Sequence, residues 1–124
     1  MELFDNSFTA IGLALNAAGL RQQVLANNLA NVNTPGFKRS DVNFDEKLTK
    51  ALEAASDGSA ADLDSLTPTV EPDNVTTMRI DGNNVDVDIE MSDLAENNIR
   101  YNALVQLAAK HLNQLQYIIS DGRR

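Results

Sequence analysis

Ala26-Asn27-Asn28-Leu29-Ala30-Asn31-Val32-Asn33-Thr34-Pro35-Gly36-Phe37-Lys38-Arg39 joins a heptad-patterned helix to a sharp turn. Asn27, Asn28, Asn31 and Asn33 fall within seven positions. Asparagine is a poor helix former because its amide competes for backbone hydrogen bonds. A helix that carries four of them near its end either presents amides or stops at a defined place. Thr34-Pro35-Gly36-Phe37 supplies the stop. Proline presets φ at the second turn position, and glycine tolerates the positive φ that a type II turn needs at the third.

Upstream, the positions Phe8, Ile11, Leu15, Ala18, Gln22, Leu25, Leu29 and Val32 alternate three and four apart. This is a coiled-coil a/d stripe with one polar member, Gln22. Asp5, Asn6 or Ser7 can cap a helix over residues 7–31. The C-terminal end repeats the pattern through Met91, Leu94, Asn98, Tyr101, Val105, Ala108, Leu112, Leu115 and Ile119, again with one polar member. Ser92 or Asp93 can cap this second helix, Gly122 suits its end, and Arg123 and Arg124 complement its dipole. Leu13, Leu20, Val24, Leu104, Leu107 and Ile118 lie outside the strict seams. A two-helix hairpin leaves them uncovered, so oligomerisation is the expectation.

Between the helices, Phe44, Leu48 and Leu52 suggest a short helix over residues 45–54. Residues 55–69, rich in Ala, Ser, Asp and Gly, read as flexible. Val75–Ile80 and the alternating Val85–Ile89 flank Asp81-Gly82-Asn83-Asn84, which predicts a β-hairpin there. The expected fold is mainly α. Long N- and C-terminal helices pair as a coiled-coil-like hairpin, with a small flexible or β-hairpin middle region. The expected division is 1–39 for the first helix and turn, 40–90 for the acidic middle and 91–124 for the second helix.

The 124 residues carry a net charge of −8, and 15 of the 18 acidic side chains lie in residues 41–100. Phosphate binding needs a basic face, so nucleic acid is not an expected partner. No cysteine is present, which excludes disulfides and thiolate chemistry. No stretch reaches the roughly 18 apolar residues of a membrane span. The acidic start, Met1–Asn6, has no basic n-region, so a cleavable secretory signal is not expected.

Chemistry is sparse. Asp81, Asp86, Asp88, Glu90 and Asp93 invite a calcium reading, but no start among them gives the glycine and glutamate spacing of an EF-hand loop. They read as a solvated strand. His111 is the single histidine and has no constellation around it. No catalytic residue, cofactor or metal is expected. Gln22 and Asn98 are either tolerated seam residues or buried amides that fix register. Asn27, Asn28, Asn31 and Asn33 are either a fraying helix end or donors to neighbouring subunits.

The opening run, with its heptad helix, resembles the N-terminal signature of bacterial flagellar axial proteins, the rod and hook family. Asn28, Leu29, Ala30, Asn31, Thr34, Pro35, Gly36, Phe37 and Lys38 match that signature. Asn27 stands where serine is common. Phe37 stands where tyrosine is common and lacks its hydroxyl. Arg21–Ala26, and Asp81–Asp86 followed by Asp88 and Glu90, look most like the small proximal rod members.

The resemblance implies a non-enzymatic subunit of the flagellar basal-body rod, in the periplasm. It would pass unfolded through the flagellar type III export system without a cleavable signal peptide. It would polymerise with itself and other rod proteins through its terminal helices. The basal-body adaptor and the membrane-ring and export-gate proteins would be its neighbours. The residues expected to carry subunit packing are Ile11, Leu15, Gln22, Leu25, Asn28, Leu29, Asn31, Pro35, Gly36, Phe37, Asn98, Tyr101, Val105, Leu112, Leu115 and Ile119. The rival reading, a cytoplasmic coiled-coil adaptor or secretion chaperone, shares the seams but gives no reason for the Asn-rich run into Thr-Pro-Gly-Phe.

Overall fold

The computed structural model describes residues 2–57 and 63–122. Residues 58–62, in the stretch expected to be flexible, and Arg123 and Arg124, expected to balance a helix dipole, lie outside the described residues. The elements run α1 (Glu2–Ala30), β1 (Ser40–Asn43), α2 (Asp45–Ser56), a 3-10 turn (Leu63–Ser65), β2 (Thr69–Pro72) and α3 (Val87–Asp121). At about 1.5 Å per residue, α1 is about 44 Å long and α3 about 53 Å. They lie antiparallel, for Glu90 bonds Asn28 and Asn97 bonds Ala18 and Gln22. The fold is mainly helical, as the two stripes require.

Helix α1 is buried on two faces. Ala10, Ile11, Ala18 and Leu25 are buried, with Ala18 and Asn28 bonded to α3. On another face, Ala17 joins Val42 and Phe44 in a small core, with Leu13, Leu20, Val24, Leu48 and Leu66 packed against it. This corrects the expectation that Leu13, Leu20 and Val24 need foreign helices. The chain's own middle segment covers them. Phe44, 1% exposed, is the plug. It immediately precedes α2, whose first turn carries Asp45 and Glu46, the charges that suit a helix N-terminus.

The two-stranded antiparallel sheet pairs Ser40 with Pro72 and Asn43 with Thr69. A β-pair is therefore present in the middle region, but not where the alternation placed it. Val75–Asn84 is irregular, and α3 starts at Val87, ahead of both expected caps. Asp86 is the N-cap, accepting the N–H of Asp88 at 2.9 Å and of Ile89 at 3.3 Å. Two acidic residues, Asp88 and Glu90, then fill the first turn. A cap followed by acids outweighs three residues of period-two alternation, because the cap satisfies otherwise orphaned N–H groups. Helix α1 likewise begins at Glu2, so Asn6 and Ser7 lie inside it.

The phase of α3 also differs from the expected seam. Its covered positions are Glu90, Asp93, Leu94, Asn97, Arg100, Leu104, Ala108 and His111. Met91, Val105, Leu112 and Ile119 of the expected stripe are 52%, 43%, 53% and 69% exposed. Asn98 is exposed, and Asn97 takes the buried place. The cause is polar. Glu90 and Asn97 find partners on α1, and those bonds rotate the apolar stripe outward.

Candidate functional site

Two features stand out: a junction of buried amides where α1 ends, and the apolar stripe that α3 leaves open.

The junction starts at Asn28, 1% exposed. Its Nδ2 donates to the Ser40 carbonyl at 2.8 Å and to Glu90 Oε2 at 3.0 Å, and its Oδ1 accepts the Ser40 N–H at 3.0 Å. Two turns earlier on the same face of α1, Arg21 Nη2 donates to the Val42 carbonyl at 2.9 Å. Strand β1 is thus paired with β2 on one edge and with α1 side chains on the other. That arrangement removes an open edge.

The expected turn forms. The Phe37 N–H reaches the Thr34 carbonyl at 3.3 Å, and Gly36 has φ of 72°. Opposite it, the Gly36 N–H donates to the Asp81 carbonyl at 2.9 Å. Asn83, fully buried, donates to the carbonyls of Thr34 at 2.8 Å, Asn31 at 3.0 Å and Val32 at 3.2 Å. All three carbonyls lie just past the end of α1. Its Oδ1 accepts the Val85 N–H at 2.8 Å, two residues short of α3. One amide therefore ties the exit of α1 to the entrance of α3. Asn84, 1% exposed, accepts the Arg39 N–H at 2.6 Å and donates to the Asp73 carbonyl and the Thr76 hydroxyl, both at 2.9 Å.

Glu90 completes the junction. Its side chain is fully buried, and Arg39 Nε donates to Oε1 at 2.5 Å. Burial opposes the charge on Arg39. The hydrogen bond and charge of Glu90, with Asp41 and Asp93 nearby, outweigh it and raise the guanidinium pKa above its ordinary value. A buried carboxylate without such partners would be strongly destabilising. Glu90 is therefore not part of a solvated acidic run, as the charge pattern suggested.

The expected packing residues divide into groups. Ile11 and Leu25 are buried, and Leu15, Gln22 and Leu29 are partly covered. Asn31 turns back on Asn27, donating to its carbonyl at 2.9 Å and its Oδ1 at 2.6 Å. Pro35 and Gly36 are exposed at the turn, and Phe37 is half-buried. Tyr101, Val105, Leu112, Leu115 and Ile119 are open to solvent, from 39% to 69% exposed. Asn83, Asn84, Glu90 and Asn97 were missed as structural partners. The doubled asparagine after Asp-Gly was the available signal for the first two.

Among the described residues no group of His, Cys, Asp and Glu could hold a metal ion. No described helix is long and apolar enough to cross a membrane.

A family model described as flagella basal body rod protein matches residues 12–38, the heptad helix together with the junction turn. The flagellar basal body rod protein FlgB of Bacillus subtilis (strain 168) is 35% identical over 99% of this chain and 100% of its own length. FlgB of Borrelia hermsii is 34% identical over 96% of this chain and 99% of its own. FlgB of Escherichia coli (strain K12) is 29% identical over 88% and 89% respectively. Similarity at this level across both helices, the junction and the middle segment means that the chain belongs to the FlgB family of flagellar basal body rod proteins.

Proposed function

We propose that this chain is a structural subunit of the proximal rod of the flagellar basal body, a building block and not an enzyme. The carrying observation is the open stripe of α3. Tyr101, Val105, Leu112, Leu115 and Ile119 line a helix that the rest of the chain leaves half uncovered. Such a face in a soluble monomer is a subunit contact waiting for its partner. Ile11 and Leu25 are buried on α1, and the Pro35-Gly36-Phe37 turn, with buried amides beside it, returns the middle segment onto α1.

Its partners are other rod and basal-body components. Among these we assign the finer contacts to copies of itself, the adaptor beneath, and the membrane-ring and export-gate proteins. The subunit reaches the periplasmic rod unfolded, by the flagellar type III route. A chain that lacks cysteine suits that passage.

Deleting the gene and fractionating basal bodies tests the reading. Rods should fail to assemble, and restored protein should co-purify with basal bodies. Motile deletion cells, or protein confined to the cytoplasm, would instead indicate the adaptor.

A further inference from the structure

Val75, Met78 and Ile80 are 93%, 57% and 110% exposed within one short loop. The loop is not slack. Asp73 accepts the N–H groups of Val75 and Thr76 at 3.1 Å and the Thr76 hydroxyl at 2.7 Å. Asn84 grips Asp73 and Thr76 from beneath, and Lys38 donates to the Thr76 carbonyl at 2.9 Å. Arg79 reaches the Val32 carbonyl. Polar atoms are thus turned inward and satisfied while three large apolar groups are held out in water. Ordering a loop in that form costs conformational entropy and gains no burial within the chain.

The surroundings select the occupant. Residues 71–90 hold six carboxylates and one arginine, and Glu71, Asp81 and Asp88 are exposed. An acidic rim repels an anionic lipid surface. It favours an apolar partner with cationic flanks. The chain carries that chemistry at its opposite end, where the open α3 stripe (Leu112, Leu115, Ile119) stands beside Lys110 and precedes Arg123-Arg124 in sequence.

We propose that the 75–80 loop is a docking knob whose partner is the C-terminal helix end of the next subunit along the rod. Two unlike patches at opposite ends of one elongated molecule make a heterologous contact, the kind that builds an open filament. This rests on the rod reading above.

A photo-crosslinking residue at position 80, in cells that assemble rods, tests it. The expected crosslink falls in the C-terminal helix of a rod subunit. A crosslink to phospholipid, or to any other surface, overturns the proposal. In parallel, Val75→Asp with Ile80→Asp should lower recovery in basal bodies about ten-fold, as loss of a central apolar anchor does. The circular dichroism of the purified monomer should not change. Undiminished recovery overturns the knob. Absence of the wild-type protein from basal bodies would instead fail the rod reading itself.

Discussion

Asn28 and Ser40 exchange two hydrogen bonds, amide to carbonyl at 2.8 Å and backbone N–H to Oδ1 at 3.0 Å. The side chain does what a neighbouring strand would do for β1. A third bond, to Glu90, links the same amide to α3. Asn28→Ala removes all three and leaves buried groups without partners. The expected cost is about 2–4 kcal/mol. Asn31→Ala loses only local, exposed bonds to Asn27 and Thr34 and should cost less than about 0.5 kcal/mol. Urea unfolding followed by circular dichroism compares them. Equal losses would mean that Asn28 is merely a capping residue.

That pair also marks what the sequence could convey. The two long helices, the short helix after Phe44 and the type II turn at Pro35-Gly36 were legible because each depends on local periodicity or on one residue's φ. Asn28 was singled out, but its partners were not legible. Ser40 and Glu90 lie 12 and 62 positions away, and no local rule links them. The phase of α3 was misread for the same reason. An apolar count favours Asn98 and Met91 as seam neighbours, whereas Glu90 and Asn97 are drawn inward by partners on α1.

The phase of α3 gives the second prediction. Asn97 donates to the Ala18 carbonyl at 3.0 Å and to Gln22 Oε1 at 2.9 Å, while its own Oδ1 has no partner. Asn97→Ala should therefore destabilise by about 1–3 kcal/mol, the usual cost of stranding buried polar groups. Asn98→Ala, one position on and exposed, should be neutral within about 0.5 kcal/mol. Reversal of that order in thermal melts would restore the apolar seam as the packing face.

Glycine substitutions should split by sign. Gly36 has φ of 72°, and an added Cβ there would meet nothing within 4 Å. Gly36→Ala is strained by backbone conformation alone, about 1–2 kcal/mol. Gly12 and Gly19 lie within α1, and an added Cβ meets nothing within 4 Å at either. Gly12→Ala and Gly19→Ala should stabilise the monomer by up to about 1 kcal/mol each. If either nevertheless blocks rod assembly, a neighbouring helix packs against that glycine. The paired readout is monomer melting temperature against basal-body incorporation.

Acid should loosen the middle segment from the hairpin. Asp45, at the start of α2, meets Arg100 of α3 at 2.6 Å and Arg21 of α1 at 3.3 Å. Burial pushes its pKa up, but the hydrogen bond and charge of Arg100, with those of Arg21, outweigh it and hold the carboxyl below its ordinary value. A lowered folded-state pKa contributes stability above the unfolded-state value, and that contribution fades as pH falls through the folded one. The loss therefore begins below about pH 4. More than half the side chain is exposed, so solvent screening limits the effect to about 1 kcal/mol or less. Asp45→Asn should lower stability at neutral pH and flatten the acid limb of the stability profile. An unchanged limb would assign acid sensitivity to other carboxylates.

Hydrogen exchange should divide α3 into two parts. Its first half is clamped to α1 by Glu90 and Asn97 and tied to α2 through Arg100 and Asp45. Beyond His111 every described residue is exposed, so that stretch forms its backbone bonds with little burial to hold them. Local opening should be easier there by at least about 1.4 kcal/mol, a ten-fold difference in protection. In dilute monomer, amides of residues 90–104 should exchange at least about ten-fold more slowly than those of residues 112–120. Helicity by circular dichroism should fall short of the full 35-residue helix and rise on assembly. Uniform protection along α3 in the monomer would show that this helix needs no neighbour, and the open stripe would lose its role in ordering the subunit as the rod grows.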